Sequence, residues 1–200
     1  MLQEKIKKYS VYLASQSPRR QELLKDLGVD FLIASRLDVD EQYSSVYYKE
    51  EIPIYLSDKK ADAYMSVLKS ADRLLITADT IVWIDEQVLG KPKDKQEAII
   101  MLKMLSGKKH EVITGITLAT QQKRHSFFCS TEVWFKNLSQ KEIVYYVENY
   151  KPYDKAGAYG IQEWIGYIGV EKIQGSYFNV VGLPVQRLYS ELEKFIDSEV

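Results

Sequence analysis

The sequence predicts an α/β protein with a mixed central β-sheet flanked by helices. Strand-like and helix-like segments alternate through the first half of the chain, which favours parallel strands joined by helices. Two further strand patterns, "HEVITGITLAT" and "RHSFFCSTEVWF", are joined by the short polar link "QQK" and predict a hairpin. The 200 residues suffice for a sizeable core and suit one domain, or one domain with two lobes.

Hydrophobic periodicity and capping residues place the elements along the chain. We expect strands over residues 9–15, 29–35, 73–84, 110–120, 124–135 and 164–173, with a short strand inside 174–184. We expect helices over residues 17–27, 53–69, 94–107 and 139–149, and a last helix that begins at Pro184. The stretches 36–50 and 151–162 are expected to be loops, and "DEQ" at 85–87 a turn.

Charge, cysteine content and hydropathy exclude several classes of protein. The 27 basic and 28 acidic residues give a net charge of −1, so no global field favours nucleic acid or an anionic membrane. The single cysteine, Cys129, excludes a disulfide framework, and His110 and His125 lie in no ligand-spaced cluster and are expected to be structural or surface residues. No apolar segment is long enough for a signal peptide or a membrane span. We therefore expect a cytoplasmic protein with no nucleic-acid and no membrane partner; its oligomeric state is open, with a homodimer as one alternative.

Two adjacent arginines occupy an unfavourable place at the start of the first predicted helix. Ser17 is a good N-cap and Pro18 suits the first helical position, so Arg19 and Arg20 fall in the first turn. Cations there oppose the helix dipole, whereas an anion is stabilised by it. With Ser15, these side chains therefore favour an anion site, although an ordinary cap with two exposed arginines is the alternative. The P-loop and Rossmann glycine patterns are both missing.

Acidic side chains supply a second candidate site. Asp79 lies inside the apolar strand "LLITADTIVWI", where a carboxylate must be paired, hydrogen-bonded or bound to metal. From the sequence, a functional carboxylate and a structural acceptor at a bulge are about equally favoured. Asp38, Asp40 and Glu41 form an acidic group in the predicted loop, which is either a solvated loop or a partner of Asp79 in a Mg²⁺ site.

Two glycine-containing stretches give weaker signals. Lys91 follows Gly90 in "LGKPKD", and an isolated lysine usually faces solvent. "YDKAGAYGIQ" combines small residues, which allow close backbone approach to a ligand, with the polar Asp154, Lys155 and Gln162. A plain glycine-containing loop explains it equally well.

These segments together resemble the Maf family of septum-formation-related nucleotide pyrophosphatases. The resemblance runs in order from "LASQSPRRQELL" through "TADTIVW", "LGKPKD", "EAIIMLKMLSGKKHEVITGITL" and "DKAGAYGIQ" to "GSYFNVVGLP", which is nearly the whole chain. Several motifs matching together are more specific than any one of them. The resemblance implies an elongated α/β fold with a cleft between two lobes. It also implies hydrolysis of a nucleoside triphosphate to the monophosphate and pyrophosphate with a divalent metal, Mg²⁺ or Mn²⁺.

The resemblance also implies roles for individual residues. Asp79 matches the general base, and Glu41 best matches an acidic residue that would share the metal with it. The substrate-binding positions of the family correspond to Ser15, Ser17, Arg19, Arg20, Lys60, Lys91 and Lys155. Arg19, Thr80 and Gln162 are similar to the subgroup that acts on dTTP and UTP. The chain departs from the family pattern at Glu163, where a glycine is common, and at Lys151, where an acidic residue is common.

Two other functions remain open at this point. A non-catalytic nucleotide-binding regulator of cell division would use the same pocket without turnover, and a pyrophosphatase could act on other or modified nucleotides. Asp79 favours the enzyme over the regulator.

Overall fold

The computed structural model describes residues 1–66, 70 and 72–198, and its strands form one mixed sheet. The strands are β1 (Ser10–Leu13), β2 (Leu32–Ile33), β3 (Arg73–Ile84), β4 (Gln87–Leu89), β5 (Lys109–Ala119), β6 (Arg124–Phe135) and β7 (Val170–Gln174). Their order is β2-β1-β3-β5-β6-β7, and β4 pairs with β3. Strand β1 is parallel to β2 and β3, whereas β3/β4 and β6/β7 are antiparallel. The predicted mixed sheet is therefore confirmed.

The predicted major helices are also present. The helices are α1 (Leu2–Lys5), α2 (Pro18–Asp26), α3 (Glu51–Met65), α4 (Lys95–Leu105), α5 (Gln140–Tyr150), α6 (Trp164–Gly169), α7 (Tyr177–Val181) and α8 (Val185–Asp197). The capping residues of α4 and α5 act as expected, because Asp94 accepts the Glu97 N–H at 2.8 Å and Ser139 accepts the Glu142 N–H at 3.3 Å. Helix α3 begins two residues before Pro53; the expected helical residues Leu68 and Lys69 lie outside the described residues. No helix of the described chain is long and apolar enough to cross a membrane.

The prediction of a strand over residues 164–173 is wrong in its first part. Trp164–Gly169 is helix α6, and the strand begins at Val170. At Gly166 the chain turns against Ile161, so closely that a Cβ atom would lie 1.9 Å from the Ile161 carbonyl oxygen. The Gly166 N–H donates to the Glu163 carbonyl at 2.8 Å. The tight turn that this glycine permits starts a helix instead of an extended strand.

The short strand predicted inside residues 174–184 is also wrong, because Tyr177–Val181 is helix α7. Ser176 caps its start, and the backbone N–H of Asn179 donates to the Ser176 hydroxyl at 3.3 Å. The Asn179 side chain donates to the carbonyl of Val112 and to the hydroxyl of Thr131, at 2.9 and 3.0 Å. These distant partners fix the conformation, and periodicity within the segment does not reveal them. The strand expected over 29–35 is reduced to two exposed residues in β2.

The chain divides into two compact units. Unit 1 comprises Met1–Asp79, Thr114–Cys129 and Gly182–Val200, and unit 2 comprises Thr80–Ile113 and Ser130–Val181. In unit 1 one buried cluster contains Ala14, Ala34, Ala61, Tyr64, Leu75 and Ala119. In unit 2, α4 packs against α5, and both helices bury apolar residues.

Helix α3 of unit 1 lies directly on the backbone of β5. The contact is at Gly115, where a Cβ atom would come within 2.3 Å of the carbonyl carbon and oxygen of Pro53. A glycine is therefore required for this approach, because backbone atoms cannot move aside as a flexible side chain can. The contact sets the depth at which α3 lies on the sheet.

We expect Gly115→Ala to lower the free energy of unfolding by about 2 kcal/mol or more, because the methyl group would push α3 from the sheet. Urea unfolding followed by tryptophan fluorescence measures the change. The matched control is Gly90→Ala, since nothing lies within 4 Å of a Cβ at that position; its effect should stay within about 1 kcal/mol. Equal stability of the two variants would contradict the close packing at Gly115.

Candidate active site

The candidate site of unit 1 begins where β1 ends. Residues Ser10 to Leu13 of β1 pair in parallel with Arg73 to Ile76 of β3, and the Ala14 N–H still donates to the Ile76 carbonyl at 2.9 Å. Strand β1 then stops and leads into α2, while β3 continues to Asp79. The carboxyl ends of parallel strands next to a helix start are the usual place for ligand sites in open α/β sheets.

A single ammonium group joins two carboxylates at this place. Lys60 of α3 donates to a carboxylate oxygen of Asp79 and forms an ion pair with Glu41 at 2.9 Å. The side chains of Lys60 and Asp79 are only 15% and 13% exposed, whereas that of Glu41 is 49% exposed. The structure thus brings together three residues that lie far apart in the sequence.

Electrostatics keep the Lys60 ammonium charged. Burial disfavours the charged form, but the charges and hydrogen bonds of Asp79 and Glu41 outweigh burial and raise the pKa of Lys60 above its ordinary value. A buried charge persists when its partners compensate for lost hydration. Lys60 is therefore a fixed cation between two carboxylates.

The acidic loop between β2 and α3 contributes Glu41 to Lys60. Its neighbour Asp40 pairs instead with Lys59, at 3.1 Å. Leu37 and Val39 of this loop pack against the buried cluster that contains Tyr64, and these contacts hold the loop in place. Two consecutive lysines of α3 therefore bind two consecutive carboxylates of the loop, and Glu41 is the one that shares a lysine with Asp79.

Arg20 has structural partners that the sequence did not reveal. Its Nε donates to the carbonyl of Gly182 and its Nη1 to the carbonyl of Ala78, each at 2.8 Å. Burial lowers the pKa of Arg20, and the charges of Asp79 and Glu41 oppose that shift. The bond to Ala78 fixes β3 one residue before Asp79. These two carbonyl groups therefore offset part of the unfavourable interaction between Arg20 and the helix dipole.

The serines before α2 organise the turn that leads into the helix. Ser15 is buried, and its hydroxyl accepts the backbone N–H of Ser17 at 3.3 Å. Ser17 occupies the predicted N-cap position, but its hydroxyl accepts no bond from the helix. Arg19 lies half-buried in the first turn. The four residues of the predicted anion site are thus adjacent at one helix start.

A buried polar network holds α3 to the sheet next to Lys60. Asp58 accepts hydrogen bonds from Thr117 of β5 and Ser126 of β6, at 2.9 and 2.5 Å. Thr77 of β3 donates to the carbonyl of Ser57 at 2.8 Å. Sequence analysis missed Asp58, although threonines inside the apolar strands were a signal that a polar partner would lie opposite them.

The remaining predicted site residues belong to unit 2. Lys155 is buried and pairs with Asp154 at 2.6 Å and with Glu163 at 3.0 Å. Lys91 and Gln162 are exposed, and Thr80 is half-buried in β3. The loop that carries Lys155 is joined to the loop that carries Lys91, because the Gly157 N–H donates to the Gly90 carbonyl at 3.0 Å.

Both histidines have structural surroundings, as expected. His110 is buried, its Nε2 lies 2.8 Å from the Tyr159 hydroxyl, and burial lowers its pKa to about 4. His125 pairs with the buried carboxylate of Glu191 at 2.9 Å.

Glu41 and Asp79 fit a divalent cation by the chemistry of their donors. Within residues 1–66, 70 and 72–198, no group of three or more His, Cys, Asp or Glu side chains could hold a metal. Mg²⁺ needs fewer protein ligands at a phosphate site, since it binds one or two carboxylates together with substrate phosphates and water. The two carboxylates already share one cation, the Lys60 ammonium.

The fold and this cluster define a class of protein: an α/β protein with a lysine-bridged carboxylate pair beside the start of α2. The family model described as Maf, Maf-like protein, matches residues 10–195. Among its relatives, the dTTP/UTP pyrophosphatase of Bacteroides thetaiotaomicron is 54% identical over 94% of this chain and 96% of the relative. The proteins of the same name from Phocaeicola vulgatus and Porphyromonas gingivalis strain W83 are 54% and 50% identical, and cover 96% and 98% of this chain and 98% of each relative. The chain belongs to the Maf family.

We expect Arg20→Lys to lower the free energy of unfolding by about 1–3 kcal/mol, because lysine cannot reproduce the two guanidinium bonds to backbone carbonyls. Thermal and urea unfolding without nucleotide measure the loss. Arg36→Lys is the matched control, since Arg36 is exposed in the same unit, and should change stability by less than about 0.5 kcal/mol. If the two variants are equally stable, the bonds to Gly182 and Ala78 contribute nothing.

Proposed function

We propose that this protein hydrolyses dTTP and UTP to the nucleoside monophosphate and pyrophosphate. The observation that carries the proposal is the nearly buried carboxylate of Asp79, held with Glu41 on Lys60 beside the start of α2. The relatives named dTTP/UTP pyrophosphatase match almost the full length of the chain and support the choice of substrate. We propose a cytoplasmic location for this reaction, because nucleoside triphosphates are made and consumed in the cytoplasm.

Asp79 is the proposed general base. Its carboxylate takes a proton from a water molecule as the water oxygen attacks the α-phosphorus. The bond between the α-phosphorus and the oxygen that bridges to the β-phosphate breaks, and pyrophosphate leaves with the bonding electrons. Lys60 holds one oxygen of Asp79 by its ion pair and thereby orients the carboxylate.

Glu41 and Asp79 are the proposed ligands of a divalent cation, Mg²⁺ or Mn²⁺. When bound, such an ion polarises a phosphoryl oxygen and offsets the negative charge of the triphosphate. Lys60 would share the two carboxylates with it, since the ammonium contacts both.

Cationic and hydroxyl groups are the proposed phosphate ligands. Ser15, Ser17 and Arg19 offer such groups around the start of α2, where backbone N–H groups and the helix dipole also favour anions. A guanidinium has five N–H donors, so Arg20 can hold its two carbonyls and also bind a phosphate oxygen. Lys91 and Lys155 are the further proposed cationic ligands.

Gln162 is the proposed reader of the base. Its exposed amide offers one donor group and one acceptor, and the edge of uracil or thymine presents both kinds of partner. Thr80 follows Asp79 in β3, so its side chain leaves the opposite face of the strand. We therefore propose that Thr80 influences selectivity through local geometry.

Asp79→Asn is expected to fold normally and to lower kcat by about 10²- to 10⁴-fold, because asparagine cannot accept the proton. Pyrophosphate release at saturating Mg²⁺ or Mn²⁺ gives the rate, and far-UV circular dichroism checks the fold. Asp26→Asn, at an exposed carboxylate of α2, is the control for the same chemical change. A kcat for Asp79→Asn within about twofold of the control would exclude Asp79 as the base.

The choice of substrate is tested by kcat/KM for dTTP, UTP, CTP, ATP and GTP. We expect dTTP and UTP to be preferred, and Gln162→Glu to reduce their kcat/KM by about 10-fold or more, because the proposed contact with the base edge loses its donor. Equal efficiency on all five nucleotides would overturn the pyrimidine preference. Nucleotide binding without release of pyrophosphate would favour a regulatory binding protein instead.

A further inference from the structure

Unit 2 contains a carboxylate, that of Glu163, which has no role in the proposed reaction, and it pairs with Lys155. Lys155 is only 8% exposed, and its ammonium already meets two carboxylates, those of Asp154 and Glu163. The two partners differ, since the side chain of Asp154 is 60% exposed and that of Glu163 is 26% exposed. A buried ammonium interacts most strongly with the carboxylate that is less exposed to water, because water screens that interaction least. Glu163 is therefore the principal partner of Lys155.

The same carboxylate is fixed by a second element of unit 2. The hydroxyl of Tyr146, a fully buried residue of α5, donates to Glu163. That hydroxyl in turn accepts the backbone N–H of Gly160 at 3.0 Å. Burial, reinforced by the Glu163 charge, holds the pKa of Tyr146 above its ordinary value, so the hydroxyl remains a donor. Helix α5 thus anchors both ends of the segment from Gly160 to Glu163.

This segment is a closed turn that carries Gln162. The Glu163 N–H donates to the Gly160 carbonyl at 3.0 Å. A Cβ atom at Gly160 would lie 2.9 Å from Glu163 Cδ and 3.0 Å from Lys155 Cε, so the ion pair packs on the turn itself. Ile161 is buried, whereas Gln162 is exposed. Contacts on both sides of Gln162 therefore fix the backbone from which its amide extends.

We infer that Glu163 is a positioning residue that sets the preference for uracil and thymine by holding the turn of Gln162 against Lys155 and Tyr146. The inference rests on the proposed function, because Gln162 is the proposed reader of the base. Glu163 acts through three contacts: its carboxylate pairs with the Lys155 ammonium and accepts a hydrogen bond from the Tyr146 hydroxyl, and its backbone N–H donates to the Gly160 carbonyl. The proposed reaction assigns Glu163 no contact with the phosphates or with the attacked phosphorus.

The inference separates binding from chemistry. Asp79 and Lys60, which carry the proposed chemistry, belong to unit 1, whereas Glu163 and all its named partners belong to unit 2. Loosening the turn should weaken recognition of the base in the ground state and the transition state alike, which raises KM and leaves kcat nearly unchanged. A purely structural role would instead lower stability without changing the ranking of bases.

The test compares Glu163→Gln with Glu171→Gln, which makes the same chemical change at an exposed residue of β7 in the same unit. For Glu163→Gln we expect KM for dTTP and UTP to rise about 10-fold, kcat to stay within about 3-fold, and the preference over CTP to fall. Glu171→Gln should match the wild type. Tyr146→Phe should change KM in the same direction, and the double variant should lose less than the sum of the two, because the residues share one contact.

Unchanged selectivity in Glu163→Gln, or a loss confined to kcat, would overturn the inference. If Glu163→Gln does not fold, Tyr146→Phe takes its place in the test. Unchanged selectivity in Tyr146→Phe would then overturn the inference. Turnover by the wild type and by Glu171→Gln reports on the proposed function separately. If neither turns over, calorimetric binding of dTTP and dCTP to the wild type and to Glu163→Gln still measures the effect on base recognition.

Discussion

The ion pairs of Lys60 are the interaction on which the candidate site depends. Asp79 comes from the middle of a strand and Glu41 from a loop without regular structure, and a single ammonium holds both. Without a cation between them, the two carboxylates would repel each other. The arrangement therefore depends on α3, which holds Lys60 next to Asp79.

The position of α3 follows from two contacts with the sheet. At Gly115 the helix backbone lies on the strand backbone with no side chain between them. The Asp58 carboxylate accepts hydrogen bonds from one hydroxyl group of β5 and one of β6. The first contact sets the depth of the helix and the second sets its position along the strands, since hydrogen bonds have a direction that apolar packing lacks. These contacts supply the fixed placement of Lys60 that the proposed reaction needs.

Each of the two units contains a charged side chain that connects two other groups of the same unit. In unit 1, Arg20 joins the backbone before Asp79 to the backbone of Gly182. In unit 2, Glu163 joins Lys155 to Tyr146. In both cases a charged side chain fixes the backbone next to a proposed functional residue. A substitution at either place should therefore be measured for stability as well as for activity.

Periodicity and neighbours a few residues away were enough to predict the mixed sheet, the long helices, the caps of α4 and α5 and the unusual carboxylate of Asp79. The resemblance to the Maf family, carried by several motifs in order, predicted most residues of the candidate site. Sequence analysis failed for α6 and α7, which have six and five residues, because segments so short carry little periodicity. Only the tertiary structure decided that Glu41 meets Lys60, that Arg20 binds Ala78 and Gly182, and that Glu163 meets Lys155. The first two depend on sheet register and on the packing of α3, which bring together residues far apart in the chain. The contact between Glu163 and Lys155 needs the tight turn from Gly160 to Glu163, whose geometry cannot be recognised from the residues between them.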